Sequence, residues 1–105
     1  MTTVLITGGN RGLGRAVAEE LVERGMTVVV GARQASDGVE AARQIGGRAT
    51  SVQLDVTDPA SIGQAAAWIQ EHHGRLDVLI NNAGVLPEAT SQSAEAVNLD
   101  LFQQT

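Results

Sequence analysis

Cysteine, tyrosine and lysine are absent from this chain of 105 residues. Without cysteine there is no disulfide, no thiol nucleophile and no cysteine-ligated metal. Only two aromatic side chains occur, Trp68 and Phe102. The core must therefore be aliphatic, built from Val, Leu, Ile and Ala. Every basic residue is an arginine: Arg11, Arg15, Arg24, Arg33, Arg43, Arg48 and Arg75. The net charge of −5 argues against nucleic acid as a partner and suits a solvated acidic surface. No apolar run approaches the ~20 residues of a membrane span. The opening MTTVLITGG has neither a basic n-region nor a long apolar h-region, so no secretory signal is expected. A cytoplasmic location, with no membrane partner, is the expectation.

The length suits one domain, and a hydrophobic share of 43% suits a globular one. Thr3–Thr7 reads as a buried β-branched strand. Leu13–Arg24 carries Leu13, Val17 and Leu21 at helical spacing, with Gly25 as its stop. MTVVV, Met26–Val30, is a second strand with no polar alternation beyond Thr27, as in a strand buried on both faces. Asp37–Ile45 reads as a helix closed by Gly46 and Gly47. Ala49–Leu54 is a third strand. Asp58 is an expected N-cap with Pro59 at the first helical position, and that helix should run to about His73 and end at Gly74. Leu76–Asn81 is a fourth strand. Residues 84–97 read as a loop, and Asp100 with Gln103 resembles a capping box. Strand and helix alternate throughout. That pattern implies an α/β fold with a parallel sheet and right-handed crossovers. The expected strand order is 3-2-1-4, half of a doubly wound fold. There is no repeat and no linker.

TGGNRGLG, residues 7–14, lies between the first strand and the first helix. In such folds a dinucleotide pyrophosphate sits there, on free backbone N–H groups and the positive end of the helix dipole. Glycine serves where a Cβ would block close approach or where φ is positive. Gly8 would start the tight turn, and Gly12 and Gly14 would let phosphates and sheet approach the helix. The spacing is not the general G-x-G-x-x-G. It is T-G-x-x-x-G-x-G. With it come Asn81-Asn82-Ala83-Gly84 at the end of the fourth strand and Asp55, in LDVTD, after the third. In these three motifs the chain resembles the classical short-chain dehydrogenase/reductase family.

The resemblance covers essentially the whole chain. It implies a Rossmann-like doubly wound parallel sheet, with residues 1–105 as a dinucleotide-binding domain incomplete at its C-terminal end. It also implies a cofactor site made of Thr7, Gly8, Asn10, Arg11, Gly12, Leu13, Gly14, Arg33, Asp55, Val56, Asn82, Ala83 and Gly84. In the family the acid at position 55 accepts from the adenine amino group; on its own residues, Asp55 could equally cap a turn. Asn82 would brace the sheet, Thr7 would tie the first strand to the fourth, and Ala83 and Gly84 would leave room for a ribose. Sugar-nucleotide epimerases space their glycines T-G-x-x-G-x-x-G, which Gly12 and Gly14 do not fit.

NAD enzymes carry an acid at the end of the second strand to bind the ribose 2′-hydroxyl. Here Gly31 and Ala32 occupy those places and Arg33 follows. An arginine can clamp a 2′-phosphate bidentately, and Arg11 can add a second cation. NADP(H) is thus expected over NAD(H). The bland reading of Arg33 is a surface arginine. Asp37, four residues further on, reads as a helix cap.

The family's general acid/base is a tyrosine, with a lysine four residues later. Neither residue type is in this chain, so no catalytic residue is assigned. Ser91 and Ser93 fall too early to match the family's serine. Asn98, in VNL, resembles the family's asparagine but follows Gly84 too closely, so that asparagine is expected beyond Thr105. His72 and His73 should interact with a helix dipole, and no metal site is expected. The expectation is the cofactor half of an NADP(H)-dependent carbonyl or alcohol oxidoreductase, truncated and inactive alone. Its family's homo-oligomer interface would be absent, and a small carbonyl or alcohol substrate would need a C-terminal half. The alternatives are a non-catalytic NADP(H)-binding module or an inactive remnant.

Overall fold

The computed structural model describes residues 2–82. The expected loop at 84–97, the capping box at Asp100, and Ala83, Gly84 and Asn98 lie outside the described residues. The elements run β1 (Thr3–Thr7), α1 (Gly12–Glu23), β2 (Thr27–Ala32), α2 (Ala35–Ile45), β3 (Ala49–Gln53), α3 (Pro59–His73) and β4 (Val78–Asn81). The four strands form one sheet in the order β3-β2-β1-β4. All three pairings are parallel. The expected fold class and strand order are both present.

Alternation along the two central strands divides the core between the faces of the sheet. Val4 and Ile6 of β1 and Val28 and Val30 of β2 pack with Ala18 of α1 and Ala41 of α2. Leu5 and Val29 point the other way, onto Ala65 and Ile69 of α3, with Leu54 and Leu79. Hence β1 and β2 are buried at every position. An uninterrupted apolar run is the mark of a strand covered on both sides. The shortage of aromatics is met as expected: Leu5, Ile6, Ile69 and four valines are the largest fully buried side chains.

Helix ends follow their local chemistry. α1 closes in a Schellman arrangement. The Gly25 N–H donates to the Val22 carbonyl and the Met26 N–H to that of Leu21, 3.0 and 3.1 Å, with Gly25 at φ 86°. Asp58 caps α3, its Oδ1 accepting from the Ala60 N–H at 3.0 Å.

Three expectations need correction. α2 begins at Ala35 behind Gln34, so Asp37 is not its cap but a first-turn residue, where a carboxylate meets the helix dipole. β4 begins at Val78, not Leu76. Asp77 just before it accepts the Thr3 N–H at 2.8 Å and pairs with Arg75 at 2.7 Å. Leu13 does not join the core stripe of α1; it is 74% exposed.

Candidate functional site

The chain crosses from one face of the sheet to the other between β3 and β4. Strand order therefore reverses around β1, and a crevice opens outside the C-terminal ends of β1 and β4. A cleft of about 690 Å³ lies there. The β1–α1 loop supplies Gly8, Asn10, Arg11, Gly12 and Leu13. The β2–α2 turn supplies Arg33, Gln34 and Asp37. The ends of β3 and β4 supply Leu54, Val56 and Asn82.

Glycine positions in the loop have separate physical causes. Gly8 and Gly12 have φ of 65° and 62°, a region that suits glycine. A Cβ at Gly12 would meet nothing within 4 Å, so this corner is open. A Cβ at Gly14 would run into the Asn82 side-chain amide and lie 2.7 Å from the Gly8 carbonyl. Gly14 therefore lets α1 sit on the end of β4. Gly9, which the sequence did not single out, is confined too: its Cβ would stand 3.0 Å from the Ile6 carbonyl, and its N–H donates to Gly31 of β2 at 3.2 Å.

Thr7, Asn81 and Asn82 knot the two central strand ends together. The Thr7 hydroxyl donates to the Asn81 side-chain oxygen at 2.9 Å and accepts from the Asn82 backbone N–H at 2.8 Å. The Asn82 side-chain amide donates to the Gly8 carbonyl at 3.3 Å. The expected brace and the expected tie are both in place. Thr7 and Gly14 stand behind the cleft and do not line it.

Charge around the cleft is mixed. Arg11 and Arg33 are exposed, as is Asp37. Among the three helix starts, α2 carries Asp37 in its first turn and α3 carries the Asp58 cap, whereas α1 has neither a side-chain cap nor a first-turn acid. The N–H groups of the first turn of α1 thus keep their hydrogen-bonding capacity and the positive end of the dipole. Asp55 holds a turn: its Oδ1 accepts from the Thr57 hydroxyl at 2.6 Å and the Thr57 N–H at 2.9 Å. Those two bonds, with the Arg33 charge as a smaller cause, hold its carboxyl below the usual range against a small opposing effect of burial.

Away from the cleft, His72 stacks on Trp68 at 4.3 Å and places Nδ1 2.9 Å from the Trp68 carbonyl. A carbonyl only accepts, so Nδ1 carries the proton. Partial burial, then its neighbour His72, push the His73 pKa down. Among the described residues no group of three His, Asp or Glu side chains could hold a metal ion. No helix there is long and apolar enough to cross a membrane.

Residues 2–105 match the family model for short chain dehydrogenase. The (-)-isopiperitenone reductase of Mentha piperita is 39% identical over 88 residues, covering 77% of this chain and 28% of that protein. The 3-oxoacyl-(acyl-carrier-protein) reductase FabG of Escherichia coli is 42% identical over 82 residues, covering 77% and 33%. The solved RhlG/NADP active-site complex of Pseudomonas aeruginosa superposes with a TM-score of 0.79 at 28% identity, over 96% of this chain and 46% of the other. The chain thus spans about a third of the length of the curated relatives it matches. Motif spacing, strand order, the knot at the switch point and the family match agree, and the chain belongs to the short chain dehydrogenase family.

Proposed function

We propose that the cleft binds a nicotinamide dinucleotide, NADP(H) in preference to NAD(H), and that these residues are the cofactor-binding part of a carbonyl or alcohol oxidoreductase. The observation that carries the reading is the start of α1: among the described residues it is the one helix start with no side-chain cap and no first-turn acid, and it opens on Gly12 at φ 62° with free space beside it. A pyrophosphate fits such a start. Gly8, Asn10, Gly12 and Leu13 would surround it, and Thr7, Gly14 and Asn82 would hold the loop in shape. Arg33, with Arg11, would take the 2′-phosphate, since Gly31 and Ala32 put no carboxylate at the end of β2. Val56 would face the adenine, and the Asp55 oxygen not used by Thr57 would accept from its amino group. Ala83 and Gly84 would border the ribose. The NADP named for the Pseudomonas aeruginosa complex supports the same choice.

The cofactor, when bound, would exchange a hydride with a carbonyl or alcohol carbon. The residues here would orient it. A Tyr-x-x-x-Lys pair cannot come from a sequence without either residue. The test is a fluorescence titration of the chain with NADPH and with NADH. Tighter binding of NADPH is expected. Equal affinities would end the 2′-phosphate assignment, and binding of neither would end the cofactor assignment.

A further inference from the structure

The ladder between β2 and β3 ends where the Leu54 N–H donates to the Ala32 carbonyl at 2.8 Å. Arg33 lies one residue beyond that last rung. Its carbonyl is held instead by a side chain: Gln53, the final residue of β3, donates from Nε2 at 3.1 Å. The other end of the same amide accepts from the Ser61 hydroxyl at 3.1 Å. Ser61, in the first turn of α3 and only 4% exposed, accepts in turn from the Asp55 N–H at 2.8 Å. Four groups from four segments therefore form one chain, from Asp55 through Ser61 and Gln53 to Arg33.

The polarity of this chain is fixed. The Arg33 carbonyl can only accept, so the Gln53 NH₂ must face it. That leaves the Gln53 oxygen toward Ser61, whose hydroxyl must donate, and the remaining Ser61 lone pair meets the Asp55 N–H. A flipped Gln53 amide would set oxygen against oxygen at Arg33. Hydrogen bonds linked head to tail reinforce one another.

We propose that Gln53, supported by Ser61, is a positioning residue for cofactor selection: it fixes the backbone of Arg33 relative to Asp55, and so sets where the Arg33 guanidinium meets the 2′-phosphate. This rests on the NADP(H) reading above. Both segments it joins flank the cleft through Arg33, Leu54 and Val56. Gln53 itself is exposed and is absent from the cleft lining, so its effect must pass through Arg33. The signature is a change in discrimination between the two cofactors, since NADH has no phosphate at that position.

The experiment compares the full chain with Gln53→Ala, Arg33→Ala and the double variant, each titrated with NADPH and NADH. Gln53→Ala removes an exposed side chain and leaves the strand intact, so folding is retained, as circular dichroism would verify. It should lower the NADPH-over-NADH preference by roughly three-fold, the scale of one modest hydrogen bond. In the Arg33→Ala background it should add nothing to that ratio. An unchanged ratio in Gln53→Ala while Arg33→Ala shifts it would overturn the positioning role alone. So would equal weakening of both cofactors. An unchanged ratio in Arg33→Ala would overturn this role together with the phosphate reading beneath it.

Discussion

Arg33 and Gly14 divide the work of the cleft between charge and shape, and their substitutions should separate accordingly. Arg33→Asp exchanges a bidentate cation for a carboxylate where a 2′-phosphate is proposed. NADPH affinity should fall by roughly ten- to a hundred-fold, the scale of a charge-assisted bond lost, while NADH affinity changes little. Parallel titrations with the two cofactors check this, and an equal loss for both would contradict the assignment. Gly14→Ala acts on shape. The added Cβ meets the Asn82 amide and the Gly8 carbonyl; the carbonyl is backbone, so the knot must shift. Both cofactors should then weaken together, with a stability loss of about 1–3 kcal/mol as in overpacked cores; denaturant titration beside the binding assay reads the two effects. Gly8, Gly12 and Gly14 were legible from spacing alone because the glycine pattern is a local signal. Gly9 was not, because its constraint is the Ile6 carbonyl brought close by the turn. Nor was the chain through Gln53 and Ser61, whose members meet only after β2, β3 and α3 have packed.

The elements were easiest to read where chemistry marks both their ends. α3 has Asp58, Pro59 and Gly74 as punctuation, and the structure places it at Pro59–His73. Asp58→Ala should cost about 1 kcal/mol, the usual loss of an N-cap, and lower the thermal midpoint without changing cofactor preference. A calorimetric scan tests it, and a midpoint equal to that of the parent would show that the cap contributes nothing. α2 was harder, because its true cap position holds Gln34, which makes no side-chain cap bond, while the conspicuous Asp37 lies three residues further on, inside the first turn. Leu13 misled for a related reason. Its spacing matches Val17 and Leu21, yet it is exposed and lines the cleft, while its neighbour Gly14 packs against the end of β4. Periodicity reports which side of a helix a residue occupies, not how far the sheet beneath extends. The apolar runs of β1 and β2 left no such ambiguity: with no polar alternation, only burial on both faces satisfies them.

At the scale of the molecule, the two ends of β4 are tied to β1 by different means. At the start, Asp77 accepts from the Thr3 N–H and pairs with Arg75. The Thr3 N–H, ahead of the Arg75 charge, holds its pKa below the ordinary aspartate value. A depressed folded-state pKa gives stability that is present above the unfolded pKa and is lost as pH falls through the folded one. Asp77→Asn should therefore lower the thermal midpoint near pH 7, and the gap from the parent should close in acid below about pH 4. A constant gap across that range would remove the carboxylate from the account. At the other end stands the Thr7–Asn81–Asn82 knot, whose partners lie 74 and 75 residues apart. The β1–β2 and β2–β3 pairings join residues much nearer in sequence. Contacts between distant residues pay the larger loop-closure entropy and come late. On a ribosome, which extends its product from the N-terminus at roughly 5–20 residues per second, the glycine loop is made well before the partners that fix its shape. Until β4 arrives, the nascent chain has the loop without the grip.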